Sequence, residues 1–170
     1  MDPLRPDLSA LKFLVIDDSV FMRRIVVTML HGFGVRVVHE AEDGITGLKA
    51  AGNLKPDIII TDSLMPAMDG MEFTRAIRNP KSKLNCFVPI IMLTGATEQW
   101  RVLSARDVGV TEFLSKPVSA KALYQRIVTT LTNPKRFVKT EHYFGPDWGQ
   151  HVAPANDRAA QEERQEYMID

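Results

Sequence analysis

At 170 residues and 19.1 kDa, the chain has room for one domain of ordinary size with an extension, and not for a long multidomain enzyme. Its 21 Lys+Arg balance 21 Asp+Glu, which removes any bulk electrostatic case for nucleic-acid or membrane binding. A single cysteine, Cys86, excludes an intrachain disulfide framework and any cysteine-rich zinc or iron–sulfur site.

The opening stretch MDPLRPDLSALKF has no apolar signal-peptide region, and no apolar run approaches the roughly 18 residues that a spanning helix needs. A soluble, cytoplasmic protein is the expectation. FLVI, running into Asp17-Asp18, then predicts a first strand. Ser19 is placed to cap a first helix carrying Ile25 and Met29 on its apolar face, and His31 near its end suits the negative pole of the helix dipole. VRVVHE after Gly34 predicts a second strand, and Ile45 with Leu48 a second helix face.

DIIIT, ending at Asp62, predicts a third strand, and Asp69 with Glu72 makes a capping-box pattern before a helix bearing Phe73 and Ile77. VPIIML leads into Thr94, followed by a fourth helical spacing at Val102, Leu103 and Arg106. TEFLS leads into Lys116, and Ser119 opens a fifth helix through Leu123, Ile127 and Leu131. The order is (βα)5. Strands as uniformly apolar as DIIIT and IIMLT lose both faces to a core, which predicts an α/β fold: a doubly wound, five-stranded parallel sheet with helices on both sides.

The regular spacing stops after Leu131, and Asn133-Pro134 breaks the chain. We read residues 1–132 as the folded domain and 133–170 as a C-terminal extension, partly docked or disordered. Its first part, KRFVKTEHYFGPDWG at 135–149, holds Phe137, Tyr143, Phe144 and Trp148, too many aromatics for an ordinary linker. Docking on the domain, binding a partner and plain exposure all stay open for them. The last 17 residues, from Pro154, are largely polar, and AAQEERQEYM at 159–168 has the pattern of a short helix that is marginal alone. His39, His142 and His151 show no metal-ligand spacing.

In an open parallel sheet, ligands sit beyond the carboxyl ends of the strands. Here those ends carry Asp17, Asp18, Asp62, Thr94 and Lys116. Carboxylates gathered so closely repel one another unless a cation lies between them or their pKa values rise. Hard oxygen donors in such a crevice favour Mg²⁺, and with a lysine and a hydroxyl nearby they suit phosphoryl transfer. Asp62, the lone acid ending the central strand, is the best nucleophile for an aspartyl-phosphate intermediate. Taken singly, each residue has a plainer reading: Asp17-Asp18 as a turn or cap, Asp62 as a solvated strand-end acid, Thr94 as a β-former, Lys116-Pro117 as a loop. Their placement at successive strand ends outweighs those separate readings.

Together these residues resemble the receiver domain of two-component response regulators, particularly the stand-alone chemotaxis type. FLVIDDSVFMRRIV matches the family's first strand and helix, AEDG at 41–44 its second turn, and PDIIITDSLMPAMDGMEF its phospho-acceptor segment. IIMLTGA and FLSKP supply the family's threonine and lysine.

The resemblance implies a flavodoxin-like receiver fold in which Asp62 accepts a phosphoryl group from a histidine kinase or histidine phosphotransfer protein. Asp17, Asp18, Asp62 and the main-chain carbonyl of Leu64 would hold Mg²⁺. Lys116 would pair with Asp62 and then with the phosphoryl group, before a cis bond to Pro117. Thr94 would move to bond a phosphoryl oxygen, and Phe113 would rotate inward behind it, although a plain core aromatic is an equally good reading of that ring.

Leu64 and Ala96 stand where the family tunes the phosphoryl lifetime. Neither side chain can orient a water by hydrogen bonding, so slow self-dephosphorylation is expected. Output would pass through the surface of the fourth helix, fifth strand and fifth helix to a downstream protein. Trp100, near the start of the fourth helix, is either core filler or a partner-facing anchor. Direct nucleic-acid contact is not expected, and dimerisation stays open. Two further readings compete. An aspartyl-phosphate phosphotransferase or phosphatase would, by resemblance to such enzymes, need an acid where Leu64 stands. A degenerate receiver acting only as an interaction module sits poorly with a complete set of pocket residues.

Overall fold

Strands and helices alternate along the chain in the computed structural model, which describes residues 5–95 and 105–149 and the backbone of 168–169. The elements are β1 (Lys12–Ile16), α1 (Val20–Gly32), β2 (Val37–Ala41), α2 (Gly44–Leu54), β3 (Ile58–Asp62), α3 (Gly70–Arg78) and β4 (Ile90–Thr94). They continue with α4, described over 105–108, then β5 (Glu112–Ser115) and α5 (Ala120–Thr132). The five strands form one parallel sheet in the order β2-β1-β3-β4-β5. The order reverses between β1 and β3, which opens a crevice at their carboxyl ends. This is the expected α/β receiver architecture.

Alternation along each strand divides the core. Phe13 and Val15, Ile58 and Ile60, and Ile91 and Leu93 pack on one face with Val26 and Leu30 of α1 and Leu123 and Ile127 of α5. Leu14, Ile16, Ile59 and Ile90 pack on the other with Ala51 of α2 and Phe73 and Ile77 of α3. Both faces of β3 and β4 are buried, so each large side chain there contributes about 1.5–3 kcal/mol by leaving water.

Met29 of α1 and Leu48 of α2 pack against the core as expected, but the most buried positions of both helices lie elsewhere. In α1 the buried residues are Val26 and Leu30, one position on from Ile25 and Met29. In α2 they are Gly44, Gly47 and Ala51, while Ile45 is exposed. The helix lies so close to the sheet that a Cβ on Gly47 would fall 2.6 Å from Ile16 Cδ1. Small residues make that approach, and apolar spacing alone does not register them. The second strand also starts later than VRVVHE suggests, because Val35 is buried in the preceding turn with its N–H bonded to the Leu30 carbonyl at 3.1 Å. The caps Ser19, Asp69 and Ser119 each accept a backbone N–H as expected, and the Asp43–Thr46 capping box of α2 joins them.

The extension is built differently. β6 (Phe137–Lys139) and β7 (Phe144–Pro146) form an antiparallel hairpin, and β8 (Met168–Ile169) pairs with β6 on the other side. Antiparallel pairing was not expected anywhere in the chain. Of the short helix expected at 159–168, residues 159–167 lie outside the described residues, and Met168 is extended. Among the described residues, no helix is long and apolar enough to cross a membrane.

Candidate functional site at the carboxyl end of the sheet

Backbone hydrogen bonds bring the strand ends level. Asp17 N–H donates to the Ala41 carbonyl at 3.2 Å, Ser63 N–H to Leu93 at 3.0 Å and Lys116 N–H to Thr94 at 2.7 Å. The side chains at these ends are therefore neighbours although far apart in sequence. Asp17, Asp62 and Thr94 are buried, at 2%, 4% and 3% exposure, while Asp18 is exposed. One carboxylate oxygen from each of Asp17, Asp18 and Asp62 lies within 4.8 Å of the others. Lys116 Nζ sits 2.6 Å from Asp62 Oδ1, which also accepts the Ser63 N–H at 2.9 Å. The Lys116-Pro117 bond is cis, as expected.

The charge balance is incomplete. Asp17 Oδ1 accepts the Ser19 N–H at 2.9 Å, but its buried Oδ2 has no hydrogen-bond partner among the described residues. Burial, with repulsion from Asp62 and Asp18, pushes the Asp17 carboxyl up to about 6 against the opposing Ser19 hydrogen bond and Lys116 charge. A buried carboxylate oxygen left unbonded beside two further carboxylates is costly. It is a good fit for a hard divalent cation, which takes oxygen ligands of this kind.

The loop after β3 is pinned on both sides of the site. Met65 is buried in the α2–α3 core, Ala67 takes a left-handed φ of 67°, and Asp69 accepts the Glu72 N–H at 2.9 Å to start α3. Gly70 follows because a Cβ there would collide with the Asp62 carbonyl oxygen. Leu64 within this loop is 46% exposed. Phe113 on β5 is half-buried, its ring 5.5 Å from that of Trp148. Ala96 and Trp100 lie outside the described residues, as does His151. His142 is exposed, 3.8 Å from Glu141.

Two arginines were not singled out in the sequence. Arg23 Nη1 donates to the Asp17 carbonyl at 2.6 Å and its Nε reaches Glu40 at 3.3 Å, which steadies the β1 end. An arginine in the first turn of the helix after an acidic pair is the signal that could have found it. Arg78, buried at the opposite end of the sheet, left no such signal.

The response regulator receiver domain family matches residues 13–128. The chain belongs to that family. It is 32% identical over 117 residues to the chemotaxis protein CheY of Pseudomonas aeruginosa, covering 69% of this chain and 93% of that one. Against CheY of Listeria monocytogenes the identity is 33% over 119 residues, covering 69% and 95%. Among solved structures, chemotaxis protein CheY4 of Vibrio cholerae superposes with a TM-score of 0.63 at 35% identity, over 69% of this chain and 95% of its own. A putative response regulator from Chloroflexus aurantiacus does so at 0.67 and 26%, over 72% and 98%. The receiver fold with its Asp17, Asp18 and Asp62 cluster is consistent with a phospho-accepting signalling switch. The family match ends before β6, so the hairpin lies beyond it.

Proposed function

We propose that Asp62 accepts a phosphoryl group from a histidine kinase or histidine phosphotransfer protein, and that the phosphorylated chain signals by changing which protein it binds. The observation that carries this reading is Lys116 Nζ on Asp62 Oδ1 at 2.6 Å, beside two further carboxylates within 4.8 Å. Lys116 and the Ser63 N–H hold Oδ1, which leaves Oδ2 to attack phosphorus. A new O–P bond forms as the N–P bond of the phosphohistidine breaks, and the imidazole nitrogen leaves with the electron pair and takes up a proton.

Asp17, Asp18, Asp62 and the Leu64 carbonyl would hold Mg²⁺, which when bound supplies positive charge against the phosphoryl oxygens. Lys116 then neutralises another of those oxygens, and the Thr94 hydroxyl moves to donate to one. Phe113 fills the space that Thr94 vacates, so that the α4–β5–α5 surface changes with the charge state of Asp62. Burial of Asp62 limits water, and the Leu64 side chain cannot position one for hydrolysis, in keeping with slow self-dephosphorylation. An acid at that position would favour a phosphotransferase, and leucine supplies none. Residues 1–132 serve as the receiver unit and 133–170 as its extension. A cytoplasmic protein without direct nucleic-acid contact accompanies this reading.

The test is incubation with acetyl phosphate and Mg²⁺ followed by intact-mass measurement. The wild-type chain gains one phosphoryl mass that persists for minutes or longer, and Asp62→Asn gains none. No gain in wild type, or an equal gain in Asp62→Asn, would overturn the proposal.

A further inference from the structure

Trp148 lies beyond the family match, yet it is built into the domain. Its Nε1–H donates to the Val110 carbonyl at 2.8 Å, just before edge strand β5. Its ring faces the Arg106 guanidinium of α4 at 4.7 Å and Lys135 Nζ, which follows α5, at 4.2 Å. Its third neighbour is the Phe113 ring at 5.5 Å. One side chain of the extension thus ties α4 and β5 to Lys135, three residues past α5. Lys135 closes the same edge from below, donating to the Thr111 carbonyl at 3.0 Å and to Glu112 at 2.6 Å. The hairpin fixes where Trp148 can reach: Asp147 N–H donates to the Arg136 carbonyl at 2.7 Å, and Tyr143 OH to the Pro146 carbonyl at 2.6 Å.

We infer that residues 144–149 are an internal strap on the output surface, held through Trp148 against Phe113 and released when Asp62 is phosphorylated. This rests on the proposed phosphoryl chemistry of Asp62 and names how that site is read out. Phe113 packs on Met92, Ala105 and Val110 while its ring lies 5.5 Å from that of Trp148, and a move into the space behind Thr94 would carry it away from Trp148. Inward movement therefore removes one of the contacts that hold the ring, and an aromatic pair of this kind shifts the docking equilibrium constant by about two- to tenfold. By linkage, the strap weakens equilibrium binding of a phosphoryl mimic at Asp62 by up to the same factor.

The experiment uses the full chain carrying Trp100→Phe, so that Trp148 is its one tryptophan. Trp148 emission and acrylamide quenching are followed with acetyl phosphate and Mg²⁺ while intact mass reports the phosphoryl group. A red shift and at least a doubling of quenching are expected as the phosphorylated mass appears. In a second arm, Trp148→Ala half-saturates with beryllofluoride and Mg²⁺, an equilibrium mimic of the phosphoryl group, at about two- to tenfold lower concentration than wild type. Complete phosphorylation with Trp148 unchanged, or an unshifted beryllofluoride dependence in Trp148→Ala, would overturn the strap while leaving Asp62 as the acceptor. Absence of the phosphorylated mass would instead remove the reading of Asp62, and the strap's release with it.

Discussion

At the carboxyl end of the sheet, Asp17 and Asp62 are buried beside Asp18 with one lysine among them, and Asp17 Oδ2 is unbonded among the described residues. At the amino end, Arg78 is equally buried, but neutral acceptors meet it on every side. Its Nε donates to Gly109 at 2.8 Å, Nη1 to Cys86 and Val88 at 2.9 and 2.6 Å, and Nη2 to Thr111 Oγ1 at 3.2 Å. The Phe137 ring covers it at 4.9 Å. Burial pushes the guanidinium down to about 9, so it stays charged at neutral pH. A buried charge with an acceptor at each of its three nitrogens is a clamp, here between α3, the entries to β4 and β5, and the hairpin. A cluster left short of positive charge is a place for a ligand.

Neutralising substitutions at the two ends should therefore act in opposite directions. Arg78→Ala strands the buried Gly109 and Val88 carbonyls and the part-buried one of Cys86 and opens a void, and a loss of about 3–5 kcal/mol is expected in urea unfolding. A loss under about 1 kcal/mol would show that the clamp is dispensable. Gly70→Ala presses a methyl group against the Asp62 carbonyl oxygen, and a loss of about 1–3 kcal/mol is expected by the same measurement. At the acidic end, Asp17→Asn removes a repelling charge and gives the unbonded position a donor toward its neighbours. A gain of about 0.5–2 kcal/mol without divalent ions is expected, together with weaker Mg²⁺ binding by calorimetry.

The pH dependence sharpens the same contrast. The Asp17 carboxyl rises from its ordinary 3.8 to about 6 in the fold, so the native state keeps a proton that the unfolded chain has already lost. Without divalent ions, the contribution of Asp17 to stability is present below pH 4 and is lost as pH rises to 6. Mg²⁺ must displace that proton, so its affinity should strengthen over the same interval and level off above it. Unfolding and binding titrations at pH 4 to 8 check both, and Asp17→Asn should flatten them.

The acidic end was legible because its residues fall at the ends of strands whose apolar runs are visible locally, and because a shared topology brings such ends together. The amino end was not. Arg78 follows Ile77 on a helix, where an arginine is ordinarily solvent-facing, and its acceptors lie up to 33 residues away. The aromatic density of 135–149 pointed to docking as one of three outcomes, but strands of three residues carry too little pattern to reveal an antiparallel hairpin. The seat of Trp148, 38 residues from Val110, depends on a long-range contact with no local trace. The face of α2 was legible at Leu48 but not at Ile45, because the closest approach to the sheet is made by Gly47, whose role there is to be small.

The acceptor itself is tested most directly by locating the phosphoryl bond. After reaction with acetyl phosphate and Mg²⁺, borohydride reduces an acyl phosphate to an alcohol, and peptide mapping then reads the modified position. The account predicts homoserine at residue 62 and unmodified aspartate at Asp17 and Asp18. Homoserine at either of those two positions, or a phosphoryl group on a residue other than aspartate, would contradict it.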